Sequence, residues 1–208
     1  PSMWMLLQPR ALDILRARLA DLGGRVEFGT RLASFTQDAD VVTVSVQHPD
    51  GREETLRAHY LAGCDGARGV VRATAGVQFA SETIDPHPMI TADVVVAGLE
   101  RTHWHMWDNA KGGALWLGPL VQTNAFQLYA KFEDEEPDLS FEALRKLVRE
   151  RTGRPELNVT EVLYASHFGS RAGLADRFRV GRTFLVGDAA HVHPPAGGQG
   201  MNTAVQDA

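Results

Sequence analysis

GRTFLVGDAAHVHPPAGGQGMNTAVQDA, residues Gly181–Ala208, decides how the rest of the chain is read. Thr183 to Val186 is a short apolar run and reads as a buried strand. Asp188 lies two residues past Val186, at the carboxyl end of that strand, where open α/β sheets bind their ligands. Pro194 and Pro195 stiffen the next segment, because proline fixes φ and brings no N–H. Gly197, Gly198 and Gly200 carry no Cβ, so a ligand can come close to their backbone. A helix is then predicted to open near Gly200 or Met201, presenting unpaired N–H groups and a partial positive charge. The string thus gathers a carboxylate suited to sugar-type hydroxyls and N–H groups suited to negative charge. A strand, a Pro-Gly turn and a helix with no ligand would use some of the same punctuation. The full string is far more specific than that.

Working outward, Thr55 to Leu61 reads as a strand that delivers Asp65 to a second ligand edge. Gly187-Asp188, Ala189-Ala190-His191, Pro194-Pro195 and Gly197 through Asn202 together resemble the second FAD signature of the single-component flavin monooxygenases. That is the para-hydroxybenzoate hydroxylase-like family, which includes the aromatic polyketide hydroxylases. Tyr60 through Arg72 (YLAGCDGARGVVR) resembles the same family's Asp-Gly motif, which serves FAD and NAD(P)H. The family usually has Ser where this chain has Gly69, which weakens a hydroxyl-dependent role there and leaves the Asp65 and Arg72 roles standing.

The resemblance runs along essentially the whole chain and implies an α/β fold. Its parts are a partial, three-layer Rossmann-like FAD/NAD(P)-binding domain and an inserted α+β substrate domain on an antiparallel sheet. The expected division is residues 1–76 and 171–208 for FAD binding and 77–170 for substrate. No G-x-G-x-x-G follows a strand near Pro1, where family members place it upstream, so the chain is expected to be a fragment.

The resemblance also implies site residues. Gln8 would reach the ribityl region of FAD, and Asp188, beside Gly187, would bind ribityl or ribose hydroxyls. The backbone of Gly198, Gly200, Met201 and Asn202 would hold the pyrimidine edge of the ring. The Pro194 and Pro195 carbonyls would face the oxygen adduct, which makes Pro195 the one candidate catalytic group. Asp65, Gly66 and Arg72 would organise the pyrophosphate and nicotinamide side. The implied activity is hydroxylation of an aromatic or phenolic substrate, polyketides among the candidates, by NAD(P)H and O2 through a flavin hydroperoxide. The alternatives are another FAD enzyme of the fold (an epoxidase, reductase or halogenase) or a non-catalytic fragment that cannot hold FAD.

Composition narrows the classes. The 208 residues carry a net charge of −5 and no basic stripe, which argues against a nucleic-acid partner. A single cysteine, Cys64, excludes an internal disulfide framework, fits a reducing, cytoplasmic compartment, and reads as a small buried hydrophobe. No apolar run is long enough for a membrane span.

The remaining pattern gives elements. Leu12, Leu15, Leu19 and Leu22 predict a helix from Pro9 to Leu22, stopped by Gly23-Gly24. Val26 to Phe28 reads as a strand, and Val42, Val44 and Val46 alternate as a half-buried one. Strands are also expected over Met89 to Ala97, Ala114 to Leu117 and Asn124 to Phe132. Ser140 is placed to cap a helix burying Phe141, Leu144, Leu147 and Val148, ended by Gly153 and Pro155. Asp188, His191 and His193 could form a facial metal site, although the prolines and glycines after them answer better to a flavin. His103-Trp104-His105 lacks a third ligand at metal spacing. No nucleophile elbow is present, which leaves hydrolase chemistry without a nucleophile.

Overall fold

The computed structural model describes residues 6–133, 136–195 and 198–208. The valine alternation builds its first sheet. Val42, Val44 and Val46 are buried on one face of β2 (Val42–Gln47), flanked antiparallel by β1 (Arg31–Gln37) and β3 (Glu53–Ala58). Val26 to Phe28 forms no strand; Phe28 is 68% exposed and has no sheet to bury it. The expected strand from Thr55 to Leu61 is two elements. β3 ends at Ala58, and β4 (Leu61–Gly63) belongs to another sheet.

That second sheet carries both acid motifs. β4 pairs parallel with β11 (Thr183–Leu185), Gly63 opposite Leu185, and β11 pairs antiparallel with β10 (Arg179–Val180). Helix α2 (Val70–Thr74) follows β4, and a 3-10 turn (Gly187–Ala189) follows β11. The core here unites Phe35, the β2 valines, Val71, Val77, Leu185, Ala189 and Ala190.

The largest sheet runs β12-β9-β5-β8-β7-β6, from β5 (Phe79–Ala97), β6 (His105–Trp107), β7 (Leu115–Pro119), β8 (Ala125–Lys131), β9 (Asn158–Ala175) and β12 (His191–Val192). Phe126, Leu128, Ala130 and Phe132 share a buried face, as their spacing predicts. They join Ile90, Ala92, Val94, Leu115 and Leu117 in one core with Leu144 and Val148 of α3 (Phe141–Thr152). Burying each such large side chain contributes about 1.5–3 kcal/mol. Ser140 Oγ caps α3 by accepting from the Ala143 N–H at 3.3 Å, and Gly153 ends it. Phe141, expected inside, is exposed. Arg151, on the same helix, is buried instead.

The chain divides into two compact units. One gathers the chain up to Arg25 with Asp85–Gly169, and the other gathers Val26–Ile84 with Ser170–Ala208. Strands β5 and β9 supply residues to both, so the joins fall inside long strands and not at turns. Helix α1 (Gln8–Asp21) groups with Asp85–Gly169, whereas the expected division put it with the residues up to 76.

The described residues form mainly antiparallel sheets with few helices. The parallel pair β4–β11 is three residues per strand, and β1–β2, β2–β3, β5–β8, β7–β8, β6–β7 and β9–β12 all pair antiparallel. Among the described residues no helix is long and apolar enough to cross a membrane.

Candidate functional site

Asp65 and Asp188 leave the same edge of one small sheet. Asp65 stands two residues past Gly63 on β4 and Asp188 three past Leu185 on β11, and those two residues are register partners. Separate sheets are not needed to bring the acids to one edge. Both acids are exposed.

Their commitments differ. Asp65 Oδ2 accepts from the Val71 N–H at 3.0 Å, so it caps the start of α2. Gly69 stands at the capping position of α2 and has no side chain to do this. A Cβ there would lie 2.1 Å from Asp65 Oδ1, so the carboxylate occupies the space that a side chain at 69 would need. Asp188 makes no hydrogen bond or ion pair with any described residue. It is an exposed acceptor at the ligand edge of a sheet.

Arg72 joins the two motifs. Its Nη1 donates to the Ala189 carbonyl at 2.8 Å and its Nη2 to the Ala67 carbonyl, and the guanidinium stacks 4.0 Å from the Phe79 ring centre. The sequence reading gives Arg72 to the pyrophosphate and nicotinamide side. In the structure two of its donors hold the Asp65 and Asp188 loops together. Gly66 accepts at its carbonyl from the Gly69 N–H at 2.9 Å.

The turn around Asp188 is pinned from α4 (Gly200–Gln206) and the residue after it. Gly187 donates its N–H to Asp207 Oδ2 at 2.8 Å, and His191 Nε2 lies 2.7 Å from the same oxygen. The Gly187 N–H, and next to it His191, hold the Asp207 carboxyl below the usual carboxylate value. Gly187 has φ +61°, and a Cβ on it would stand 3.0 Å from Ala204 Cβ. Glycine is needed there both for its conformation and for the approach of α4. Sequence reasoning missed Asp207, a lone acid that no motif spacing marks.

The glycine loop is described in part, since Gly197 lies outside the described residues. The Pro195 carbonyl, expected to face an oxygen adduct, accepts from the Gly198 N–H at 3.0 Å. Met201 is exposed, and Asn202 Nδ2 donates to Gln199 Oε1 at 3.3 Å. A Cβ at Gly198 would meet nothing within 4 Å, and one at Gly200 only the His193 ring at 3.6 Å. Space is therefore open on this side. In the same unit, Ala80, Ser81, Glu82, Gly173, Leu174 and Val192 line an open groove of about 470 Å³. His191 stacks loosely on His193, ring centres 6.4 Å apart, and its Nε2 is taken by Asp207. Among the described residues no three His, Cys, Asp or Glu side chains gather as metal ligands. Cys64 is exposed, because it falls in the loop after β4 and not in the strand.

Gln8 belongs to the other unit. It is exposed at the first turn of α1 and lines a cleft of about 240 Å³ with Leu12, Arg16, Asp93 and Tyr164. Asp93 is 6% exposed, and burial pushes its carboxyl above the usual value. On the outer face of the same sheet Trp116 stacks on Tyr129 at 4.9 Å and donates from Nε1 to Asp108 Oδ1 at 2.6 Å. Phe126 is wholly core.

Among the described residues Asp188 is a carboxylate without a partner at a strand end, and Gly198 and Gly200 face open space. The family model described as an FAD binding domain matches residues 1–208, and the chain belongs to that family. It is 41% identical over its whole length to a flavin-dependent monooxygenase of Mycobacteroides abscessus, covering 44% of that protein. It is 34% identical to a rifampicin monooxygenase of Streptomyces venezuelae, over 99% of this chain and 43% of that one. Among solved structures it superposes on aklavinone-11 hydroxylase, held in a ternary complex with FAD and aklavinone. The TM-score is 0.82 at 31% identity, over 97% of this chain and 39% of that one. The chain therefore spans well under half the length of these relatives.

Proposed function

We propose that the protein containing this chain is an FAD-dependent monooxygenase that hydroxylates an aromatic, phenolic substrate of polyketide type at the expense of NAD(P)H and O2. The observation that carries the reading is Asp188, an exposed carboxylate with no partner among the described residues, at the carboxyl end of β11. FAD, when bound, supplies the redox chemistry and the activation of oxygen. The chain's own residues bind and orient. Asp188 accepts from ribityl or ribose hydroxyls. The N–H groups at the start of α4, around Gly200, Met201 and Asn202, favour negative charge on the pyrimidine edge of the ring. Asp65, Gly66 and Arg72 shape the neighbouring loop. Pro194 and Pro195 stiffen the segment after Val192 and bring no N–H donors of their own. A polycyclic phenol is supported by the relatives' names, which include 6-methylpretetramide, anhydrotetracycline and aklavinone hydroxylating enzymes.

FAD titration followed by flavin fluorescence tests the reading. Asp188→Ala is expected to remove one or two charge-assisted hydrogen bonds, about 1.5–3 kcal/mol each. That is a loss of roughly tenfold or more in affinity. Equal flavin uptake by wild type and variant would remove Asp188 from the site. A holoprotein that oxidises NADPH no faster with a polycyclic phenol than without one would argue for a reductase or another enzyme of the fold.

A further inference from the structure

We propose that Asp207 is a positioning residue for Asp188, acting through the Gly187 N–H on one flank of the turn and the His191 ring on the other. The proposal rests on the reading of Asp188 as a hydroxyl acceptor.

One oxygen does the holding. Asp207 Oδ2 takes the Gly187 N–H at 2.8 Å and the His191 ring at 2.7 Å. Gly187 immediately precedes Asp188, and His191 follows it by three residues. Both side chains of the His191–Asp207 pair are shielded, at 13% and 15% exposure, so the contact is not a solvated surface pair. The turn is also fixed from inside. Ala190 N–H donates to the Gly187 carbonyl at 2.7 Å, and Arg72 holds the Ala189 carbonyl. The backbone is thereby held on both sides of Asp188, while its own carboxylate has no partner among the described residues. A ligand-binding acceptor needs that division, because a fixed acceptor loses little freedom when it binds.

The geometry also fixes a tautomer. An ionised carboxylate only accepts. His191 must therefore present Nε2–H to Asp207, which leaves Nδ1 as the other ring nitrogen. The remaining rings against His191 are Phe178, 5.8 Å away between centres, and His193.

Variants at Asp207 and His191 of the whole protein that contains this chain, with FAD as the probe, test this. In wild type, nitrogen NMR of His191 is expected to show the Nε2–H tautomer, and the Gly187 amide is expected to exchange slowly. Asp207→Ala should release both signatures, speed Gly187 exchange about tenfold, and lower FAD affinity about tenfold. Asp207→Asn keeps an acceptor oxygen for Gly187 without the charge, and should recover much of that affinity. Such recovery would not follow if Asp207 served only the charge balance of α4. Should Asp207→Ala fail to fold, His191→Gln and His191→Ala replace it: Gln can still donate to Asp207 and should bind FAD better than Ala. Wild-type affinity in a folded Asp207→Ala protein overturns the proposal, as does equal binding by the two His191 variants. Failure of wild type itself to take up FAD while His191 shows the Nε2–H tautomer removes the Asp188 reading, and the positioning role goes with it.

Discussion

Gly187→Ala probes the turn that carries Asp188 most directly. Gly187 has φ +61°, the left-handed region. An L-residue there costs about 1–2 kcal/mol. The added Cβ would stand 3.0 Å from Ala204 Cβ, closer than packed carbons sit, so α4 must give by a few tenths of an ångström. Any such shift stretches the 2.8 Å and 2.7 Å contacts to Asp207, whose residue lies at the end of the same helix. Weakening one of them costs on the order of 1 kcal/mol. The sum is roughly 2–3 kcal/mol, which corresponds to about 30- to 150-fold in an opening equilibrium. Native-state hydrogen exchange reads this locally. Val186 N–H bonds to the Gly63 carbonyl at 3.0 Å and Ala190 N–H to the Gly187 carbonyl at 2.7 Å, so these two amides report the turn. Their protection is expected to fall by that factor. Adding Ala204→Gly removes the steric part and should recover some protection, less the roughly 1 kcal/mol that glycine costs a helix. A drop of less than about threefold in Gly187→Ala would refute the claim that conformation and close approach both require glycine.

Two further outcomes follow from the other unit. Arg151 is 8% exposed, donates to the carbonyls of Gly112, Ala114 and Lys131, and stacks 4.4 Å from the Phe132 ring centre. Arg151→Met leaves those carbonyls short of a donor and should cost about 3–5 kcal/mol, or roughly 10 °C in the melting temperature. Trp104, Trp107 and Trp116 lie in the same unit, so tryptophan emission is the natural monitor, and an unchanged midpoint would contradict the assignment. Asp85 bonds Lys131 Nζ at 2.6 Å and the His87 N–H at 3.0 Å, and these hold its carboxyl well below the usual carboxylate range. A depressed folded value means that the contribution is full above the unfolded value, near pH 4, and is lost as pH falls through the folded one. Lys131→Met should therefore flatten the acid limb of the stability–pH curve; an identical limb would contradict the pairing.

Local chemistry made much of this legible in advance. The β2 valines, the alternation in β8, the Ser140 cap and the helix starting at Gly200 all follow from period and punctuation, and each depends on near neighbours only. What escaped depends on distant partners. Thr55 to Leu61 looks like one strand because nothing local says that β3 and β4 join different sheets. The length of β9 is set by its partners in the sheet and is masked in sequence by Gly169 and Gly173. Arg151 reads as a solvated helix residue, and its burial depends on carbonyls left by Gly112 and β8, tens of residues upstream. Asp207 has the same character. The residues that hold the site were the hard ones, because a carboxylate gripping a backbone N–H leaves no spacing rule behind.

The two acids at the β4–β11 edge divide their work, and Gly69 explains how. A helix start needs an acceptor for its free N–H groups, and a serine at the capping position can supply one. With glycine at that position the chain has no such acceptor locally. Asp65 turns back to fill the role at Val71, with Oδ1 lying over the space that a Cβ would fill. A serine at 69 would have to expel Asp65 from that position and could cap α2 itself. Glycine at 69 and the inward turn of Asp65 are therefore one choice made at two positions. A carboxylate anchored to Val71 shapes its loop from a fixed place and is the poorer partner for a ligand's hydroxyls. Asp188 lies three residues beyond the register partner of Gly63, and its turn is held by Arg72 and Asp207. Of the two acids at that edge, Asp65 is bonded to the protein and Asp188 is the one left without a side-chain partner among the described residues.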